Sequence, residues 1–427
     1  MFRRIKTLQD VVDWGLCLGC GACKYASRRG RVELLNIESI GIRPVFDAES
    51  RRASAELLAI CPGYDADATL ATGPHAKQTA AEHEFGRALE IWEGYASDPE
   101  FRYRGSSGGL LSALALYCLE REKMAFVLHA AMDENKPWLN KTVASRSRDE
   151  LLARTGSRYS PASPCEALGE IERSDRPCVF IGKPSDTMAA WKLRNIRPEL
   201  DRNLGLVLSF FCAGEPSTLG TIDLLRVLGI PEREIDTVHY RGEGWPGSFR
   251  VKYDQQRKQK SLTYRESWSR LTKYRPFRWQ LDPDGLGRVC DISCGDAWES
   301  FTADSDPGRS LAIVRTKRGQ EILHRAMDAG YVTVSRVEPE TVIAAQRNLL
   351  ERRKEIFGRL LALRLLFVPV PRLSGFSLFN GWLSLSINRK LRTVLGTLRR
   401  VIQRGLWKRR TLSPAMRASS TEQSFEG

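Results

Sequence analysis

Short apolar runs alternate with longer amphipathic segments between residues 91 and 350. The short runs predict buried strands, at residues 124–132, 177–182, 204–211, 310–316 and 331–335. The longer segments predict helices, at residues 110–120, 183–195, 215–229 and 317–330. In the third of these helices we expect Pro216 in the first turn and Gly229 near the end. This alternation predicts an α/β fold with a mixed sheet and flanking helices.

Three segments depart from that pattern. Residues 1–70 hold a cluster of cysteines, and the polar residues 71–90 predict a linker or an exposed helix. Residues 351–427 form a tail that mixes apolar and basic side chains. The formal net charge of the chain is +15, and the stretch 351–410 alone carries 15 Lys and Arg against Glu351 and Glu355. The basic character therefore belongs to the tail and not to the body of the protein.

The tail predicts a basic amphipathic helix. Its apolar positions near helical spacing are Leu391, Val394, Leu395, Leu398, Val401 and Ile402, and the arginines that flank them are Arg392, Arg399, Arg400 and Arg404. Such a helix suits an anionic membrane surface, so residues 352–410 are a candidate membrane-binding segment. Docking on the protein's own body and docking on a partner subunit are the alternatives. No nucleic-acid recognition motif accompanies the charge, so no nucleic-acid partner is expected.

The apolar runs also bear on location. None reaches the roughly 18 uninterrupted apolar residues of a spanning helix. The opening residues MFRRIKTLQD are not followed by the apolar core of a secretory signal. We therefore expect a protein of the reducing cytoplasm, which the tail could also bring to the inner face of the membrane.

The N-terminal cysteines predict one [4Fe-4S] cluster in a ferredoxin-like segment. The candidate ligands are Cys17, Cys20, Cys23 and Cys61. The first three have the spacing of the bacterial ferredoxin run, with Gly19 and Gly21 between them. That run would continue with a cysteine at position 27, where this chain has Ser27, so the fourth ligand must come from the later cysteine, which precedes a proline. A zinc site and unrelated free thiols are the alternatives, although zinc more often uses two separated cysteine pairs.

Three glycine-containing turns are candidate ligand sites. Residues 105–109, GSSGG, precede a predicted helix, whose first N–H groups favour anions such as cofactor phosphates. Residues 182–184, GKP, follow a predicted strand, where ligands bind in open α/β sheets. In the stretch 240–247, YRGEGWPG, Arg241 and Trp245 could clamp a planar ligand. The ordinary alternatives are a helix-capping turn, a surface lysine and a structural loop.

Taken together, seven stretches resemble the beta subunit family of coenzyme F420 hydrogenases and dehydrogenases over roughly residues 10–350. In the family's order they are CLGCGAC with the later CPG, RGSSGG, GSRYSP, FIGKP, SFFCAGEPS, YRGEGWPG and DISCGDAW. Known relatives are flavin-dependent iron–sulfur oxidoreductases, and bacterial relatives often resemble proteins of polysaccharide gene clusters.

The resemblance implies FAD as a second cofactor. Residues 91–180 would be the N-terminal, flavin-binding part of a beta-subunit domain, and residues 181–350 its C-terminal part. The implied FAD-binding residues are Ser106, Ser107, Gly108, Gly109, Arg158, Tyr159 and Lys183. Electrons would pass between the cluster and FAD, which would exchange hydride with an unidentified substrate. The implied partner is an electron donor protein, such as a ferredoxin or a reductase, or a deazaflavin coenzyme.

Family members with two clusters draw the second set of ligands from positions that this chain has largely lost. The corresponding residues here are Ser185, Cys212, Trp279 and Asp282. A cubane needs about four ligands, normally thiolates, so a single cluster is expected. Trp279 is expected to fill the vacated volume. Cys290 and Cys294 lie nearby in sequence but lack the family's spacing.

The sequence therefore predicts a flavin-dependent iron–sulfur oxidoreductase with no assigned acid–base catalyst. His239 and Asp296 are candidates only by their position beside or within the motifs. The alternative is a non-catalytic electron-transfer or scaffold subunit that serves polysaccharide biosynthesis at the membrane. A zinc-binding interaction protein is a third interpretation.

Overall fold

The computed structural model describes residues 4–71, 73, 79–300 and 307–412. Its strands, in chain order, are β1 Val32–Ile37, β2 Gly41–Phe46, β3 Asp65–Asp67, β4 Glu90–Ala96, β5 Val127–Met132, β6 Asn140–Ser145, β7 Cys178–Gly182, β8 Leu204–Phe210, β9 Ile235–His239, β10 Ser248–Tyr253, β11 Lys258–Thr263, β12 Ile292–Asp296, β13 Ser310–Val314, β14 Val332–Arg336 and β15 Arg372–Ser374.

The α-helices connect and flank these strands. In chain order they are α1 Leu8–Asp13, α2 Ala22–Ala26, α3 Ala48–Ala53, α4 Ala80–Phe85, α5 Pro99–Arg104, α6 Leu110–Glu120, α7 Arg148–Ala153, α8 Leu168–Glu172, α9 Pro184–Arg194, α10 Pro198–Asn203, α11 Thr218–Leu228, α12 Tyr264–Leu271, α13 Lys317–Asp328, α14 Pro339–Ala345, α15 Arg347–Lys354, α16 Ile356–Leu365, α17 Leu378–Leu383 and α18 Ile387–Gln403.

Within the described ranges, eight strands form the main sheet, in the order β14-β4-β13-β12-β8-β7-β5-β6. The four strands β5, β7, β8 and β12 pair parallel with one another, and every other pairing in this sheet is antiparallel. Parallel strands have their carboxyl ends at one edge of a sheet, where open α/β sheets bind ligands. The predicted mixed sheet with flanking helices is confirmed.

Strand β8 shows why this sheet is buried on both faces. Leu206 and Leu208 pack with the helices α6 and α13 on one side, whereas Val207 packs with α9 on the other. All three side chains are fully buried, as expected for a central parallel strand that reads as one continuous apolar run. Because successive side chains of a strand point to opposite faces of the sheet, one apolar run contributes to two cores.

Each strand predicted from an apolar run is present, but the pattern missed strands with polar or small residues. The antiparallel sheet β11-β10-β9 includes the exposed strand β11, and β12 contains Ser293 and Gly295. One boundary was wrong. Helix α11 begins at Thr218 with Ser217 as its N-cap, so Pro216 precedes the helix and does not lie in its first turn.

The N-terminal segment and the C-terminal tail pack on each other. Strand β3 pairs with β15 of the tail, and Val11 of α1 shares a core with Leu360 of α16 and Val401 of α18. The tail therefore docks on the protein's own body, which was one of the alternatives. The predicted amphipathic helix is α18. Among the described helices, none combines the length and apolarity that crossing a bilayer requires.

Two predicted boundaries fall partly outside the described residues. These are the linker at 71–90, of which positions 72 and 74–78 are not described, and the tail, of which 413–427 are not described. The described end of the linker forms helix α4, capped by the Thr79 side chain. The ferredoxin-like character of residues 1–70 stays a prediction. The described part of this segment, from residue 4, forms two short helices and the hairpin β1-β2 before α3.

Candidate redox site

A large cleft opens at the carboxyl ends of the parallel strands. Residues that follow β7, β8 and the turn before α6 line it, together with Gly295 and Asp296 at the end of β12. Its empty volume is about 1470 Å³, including the part open to solvent. This volume suits an extended organic cofactor better than an ion.

Two glycines shape the turn before α6. Gly108 and Gly109 have φ angles of 72° and 70°, in the left-handed region. A Cβ atom on Gly109 would lie 2.3 Å from the carbonyl oxygen of Phe101. Helix α6 starts without a side-chain cap, and its first residues line the cleft. Its uncapped N–H groups make this end of the cleft attractive to a phosphate.

Hydrogen bonds fix the two serines of the same turn. Ser106 and Ser107 both line the cleft. The Ser106 hydroxyl oxygen accepts from the Ser157 N–H at 2.6 Å, and the Ser107 carbonyl accepts from the Ser310 hydroxyl. The turn is therefore held rigidly at the cleft edge, as a binding turn requires.

Arg158 and Tyr159 line the cleft, but their polar and ring atoms are mostly engaged by the protein. The Arg158 guanidinium donates to Asn140 and to the carbonyls of Pro137, Leu139 and Val238, at 2.6 to 3.0 Å. Burial lowers the pKa of Arg158 and raises that of Tyr159. The Tyr159 ring packs 4.9 Å from the ring of Trp268, which also lines the cleft. Arg158 thus builds the cleft wall, and the two rings give that wall an aromatic surface.

Lys183 lies in the cleft between two carboxylates. Its ammonium group is 3.0 Å from Asp186 and 3.3 Å from Glu215, and it also donates to the Ala162 carbonyl at 2.9 Å. Burial disfavours the charge of Lys183, but the two carboxylates outweigh it and raise its pKa. Burial also raises the pKa of Asp186 to about 6 and that of Glu215 to about 7, against the opposing effect of Lys183. Of these three side chains, only Lys183 was a candidate site residue from the sequence.

Arg241 and Trp245 are held by Asp296 and do not form an open clamp. Asp296 accepts two hydrogen bonds from Arg241, at 2.7 and 2.8 Å, and one from the Trp245 indole at 2.7 Å. Arg241 also donates to the Ser106 carbonyl at 2.5 Å. The YRGEGWPG stretch therefore braces the turn before α6, and its arginine lines the cleft.

Two histidines differ in their relation to the cleft. His239, the candidate proton donor, is outside its lining, and burial and Arg250 lower its pKa to about 4. His129, which was not a candidate from the sequence, lines the cleft. Its ring shares a 2.8 Å hydrogen bond with the Ser145 hydroxyl. Burial and Arg154 lower its pKa also to about 4. No sequence motif marks His129, which lies in an ordinary strand.

The four candidate cluster ligands line one smaller cavity, called the cysteine cavity below. These residues are Cys17, Cys20, Cys23 and Cys61. Its empty volume is about 470 Å³, and its other walls are mainly apolar. Gly19 and Gly21, with φ angles of 74° and 83°, let the loop turn around it. Among the described side chains, no group of three or more His, Cys, Asp or Glu is placed to hold a metal ion.

The thiols of the cysteine cavity sit in a setting that suits a cationic iron core. Burial, and then the neighbouring thiols, raise the pKa of Cys23 well above its ordinary value and that of Cys61 to about 12. Burial also raises the pKa of Cys17, whereas a hydrogen bond from Cys165 lowers that of Cys20. Four buried thiolates repel one another unless a positive group lies between them, and iron supplies it. The residues present therefore fit a cluster.

One loop separates the cysteine cavity from the cleft. Ala162 and Pro164 line the cleft. Between and beside them, the Ser163 hydroxyl donates to the Gly19 carbonyl at 2.5 Å, and the Cys165 N–H donates to the Cys20 carbonyl at 3.1 Å. The two sites are therefore neighbours. Cys165 is fully buried, and its contact with Cys20 has no signal in the sequence.

The family resemblance implies four positions for a second ligand set, called the Cys212 region below, and of these only Cys212 is in the cleft lining. They are Ser185, Cys212, Trp279 and Asp282. A Cβ atom on Gly214, two residues after Cys212, would lie 2.9 Å from the Cβ of Trp279. Burial raises the pKa of Cys212 to about 12, and Asp282 adds to that effect. The Ser185 hydroxyl is buried and has no hydrogen-bond partner in the part of the chain that the structure describes.

The two other cysteines near this region pack into different cores. Cys290 belongs to the core that includes helix α9, and its thiol donates to the Gly287 carbonyl at 3.2 Å. Cys294 belongs to the core that includes helix α6. Because the main sheet separates these cores, the two thiols do not form a pair.

Comparison with known proteins places the chain in a family. Residues 91–169 match the model for the N-terminal part of the coenzyme F420 hydrogenase/dehydrogenase beta subunit, and residues 175–340 match the model for its C-terminal part. Neither model covers the cysteine segment or the tail.

Similar proteins carry related names. The coenzyme F420 hydrogenase subunit beta of Methanosarcina barkeri is 25% identical over 264 residues, which are 59% of this chain and 84% of that protein. The coenzyme F420-dependent sulfite reductase of Methanocaldococcus jannaschii is 21% identical over 369 residues. That match covers 82% of this chain but 52% of the sulfite reductase, so the chain spans about half of that relative.

A solved structure has the same fold. A chain of the F420-reducing [NiFe] hydrogenase complex from Methanosarcina barkeri superposes with a TM-score of 0.52 at 19% identity, over 66% of this chain and 95% of that one. Since the two family models together cover more than half of the sequence, this chain belongs to the coenzyme F420 hydrogenase/dehydrogenase beta subunit family.

Proposed function

We propose that this protein is a flavin-dependent iron–sulfur oxidoreductase. It passes electrons between one [4Fe-4S] cluster in the cysteine cavity, FAD in the cleft and an unidentified substrate. The family supports the reaction class, because the similar proteins are named as a hydrogenase subunit and a sulfite reductase. The observation that carries the proposal is the loop of residues 162–165, which touches both sites and makes the two redox groups neighbours.

The residues of the cleft support FAD as its occupant. The uncapped start of α6, with Ser106, Ser107, Gly108 and Gly109 before it, suits the phosphates. Trp268 and Tyr159 offer ring surfaces to a planar group. When bound, FAD links one-electron to two-electron chemistry. Lys183 and Arg158 act mainly by positioning the wall, since both are already paired.

Glu215 is the group best placed to hold a proton for the reaction. It lines the cleft, and its pKa of about 7 allows it to take up or release a proton near neutrality. Lys183 holds the ionised carboxylate, so the proton can leave without exposing a bare charge. The partner that supplies electrons is an electron donor protein or a deazaflavin coenzyme.

Cofactor analysis of the anaerobically purified protein tests this proposal. We expect about four iron atoms, about four labile sulfides and one FAD per chain, with a visible spectrum of both groups. Zinc without labile sulfide would favour a zinc-binding interaction protein. Iron and sulfide without flavin would favour the alternative, a non-catalytic electron-transfer or scaffold subunit that serves polysaccharide biosynthesis at the membrane.

We further propose that the tail attaches this cytoplasmic protein to an anionic membrane surface. On α18 the exposed side chains include Ile387, Leu391, Leu395 and Ile402, although the helix buries Thr393, Thr397 and Val401 against the body. Most of the exposed large apolar side chains of the described residues lie between 365 and 407.

The positive charge beside this apolar stripe favours an anionic membrane over a protein as its binding partner. Arg392, Arg399 and Arg404 are exposed beside it. An apolar stripe with a basic border binds acidic lipid headgroups, whereas a protein partner would need acidic residues to match. The helix would lie in the interface plane, with its other face kept on the protein body.

Vesicle co-sedimentation tests the attachment. The full chain should pellet with phosphatidylglycerol-containing vesicles, less so at high salt, and little with pure phosphatidylcholine. The double variant L391D/L395D should stay in the supernatant, because both side chains are exposed and their loss spares the core. The control I196D changes an apolar residue that is 59% exposed but lies far along the chain, on the body, and should still pellet. Equal pelleting of the wild type and L391D/L395D would overturn the proposal.

A further inference from the structure

Arg278 joins the two segments that carry the cysteine ligands. It lies in the short turn after α12 and is only 1% exposed, which makes it the largest fully buried side chain among those described. Its Nε donates to the Leu16 carbonyl at 3.0 Å, and its Nη2 donates to the Gly63 carbonyl at 3.3 Å. Leu16 precedes Cys17, and Gly63 lies two residues after Cys61. The guanidinium therefore holds both ends of the cysteine cavity together.

The remaining nitrogen of Arg278 has no acceptor among the described residues. Nη1 is buried and makes no hydrogen bond. A buried N–H without an acceptor costs free energy, and the cost is greater when the group is charged. The groups close enough to influence this charge are Asp282, Cys61 and Cys17. Two of these three are candidate ligand thiols, so the donor without an acceptor belongs to a guanidinium that lies near both of them.

We infer that Arg278 is a positioning residue that donates a hydrogen bond to sulfur of the cluster and raises the cluster's reduction potential. The inference rests on the proposed cluster. Reduction adds one electron and therefore one negative charge to the cluster. A fixed positive charge and a hydrogen bond to sulfur both stabilise the more negative, reduced state. Arginine suits this task better than lysine, because its planar fork can hold two carbonyls and still offer a third direction.

A redox titration of the cluster, followed by electron paramagnetic resonance, tests the inference. In R278M the one-electron equilibrium should shift at least tenfold toward the oxidised cluster, which is 59 mV for one electron. R278K, which keeps the charge but not the fork, should fall between R278M and the wild type. The control R359M removes a partly buried arginine, which donates to the Gln280 carbonyl and forms an ion pair with Glu355. Its cluster should keep the wild-type potential.

Iron and labile sulfide are measured on the same samples, so the possible outcomes are distinguishable. A wild-type potential in R278M with full iron content would overturn the inference and leave the proposed function standing. If R278M fails to hold iron, R278K decides, and a wild-type potential there overturns the inference. A wild-type protein without iron and sulfide would overturn the proposed function, and the inference with it.

Discussion

The cysteine cavity and the Cys212 region meet at one turn. Arg278 reaches the cavity, and its neighbour Trp279 packs against Gly214 in the Cys212 region. The cavity has four thiols and open space between them. The Cys212 region has one thiol, a carboxylate, a hydroxyl and a large indole. The difference shows that two neighbouring parts of one fold offer very different ligand sets, with four thiols in the cavity and a single thiol beside a large indole in the Cys212 region.

The groups that shift the thiol pKa values also differ between the two regions. In the cysteine cavity the raised thiol pKa values come from burial together with the other thiols, so a positive iron core would relieve them. At Cys212 burial also raises the pKa, a hydrogen bond from the Gly214 N–H lowers it, and the carboxylates Asp282 and Glu215 raise it further. Arginines lie near the thiols of both regions: Arg43 and Arg278 near Cys17, and Arg275 and Arg352 near Cys212. The regions therefore differ in the number of thiols that surround each one, and not in the presence of a neighbouring cation.

Replacing a thiol of the cavity should have the largest effect. In C20S we expect loss of nearly all iron and labile sulfide, because a cubane needs about four ligands. Flavin content should stay at the wild-type level, since the cleft residues are unchanged. The matched control is C212S, which should keep full iron. Full iron in C20S, or iron loss in C212S, would reverse the assignment of the two regions.

Removing the indole of the Cys212 region should affect stability and not iron. Trp279 is 4% exposed, so W279A should lower the free energy of unfolding by about 3–5 kcal/mol through the cavity that it leaves. Urea unfolding measures the change, and iron analysis of the folded protein should be unaltered. A loss below about 1 kcal/mol would show that Trp279 does not fill the vacated volume.

Both regions were visible in the sequence to different degrees. The cysteine spacing predicted the cavity because a tight loop brings its ligands together locally. The neighbouring contacts of Arg278 and Cys165 were not predictable, since each depends on segments far apart in the chain. Glu215 lay inside a quoted motif, but its partner Lys183 was interpreted alone. His129 had no signal, because burial and not a motif makes it distinctive.

The fold shows the same limit. Apolar runs predicted β7 and β8, whose residues are buried on both faces. They did not predict β12, whose Ser293 and Gly295 are accommodated only because the strand lies between β8 and β13. Strand β12 is therefore formed by pairing with its neighbours, and the hydrophobic periodicity of its own sequence does not indicate it. The apolar positions predicted for α18 divide between two sides of the helix: Leu391, Leu395 and Ile402 are exposed, whereas Val401 is buried on the side that docks. That side also carries Thr393 and Thr397, which hydrophobicity does not mark.

A methyl group in the turn before α6 should affect the cleft and leave the cysteine cavity unchanged. In G109A the new Cβ would meet the Phe101 carbonyl at 2.3 Å, and the φ angle of 70° adds strain, so the turn must move. We expect FAD affinity to fall about tenfold, which corresponds to about 1.4 kcal/mol, with iron content unchanged. The control G229A has a similar φ angle of 62° but no atom within 4 Å of its Cβ, and should keep FAD. Equal flavin binding in both variants would contradict a role for the turn.

The smallest expected effect concerns the pH dependence of the cleft. Burial raises the pKa of Glu215 from 4.5 to about 7, so between these values the folded state holds a proton that the unfolded state has released. The contribution of Glu215 to stability is therefore present below about pH 4.5 and is lost as the pH rises through about 7. E215Q should flatten this part of the profile, by about 1–2 kcal/mol between pH 5 and pH 8. Urea unfolding at the two pH values measures it, with E321Q on the exposed face of α13 as the control. A wild-type pH profile in E215Q would show that Glu215 does not titrate in the cleft, and would remove it as the proton-holding group.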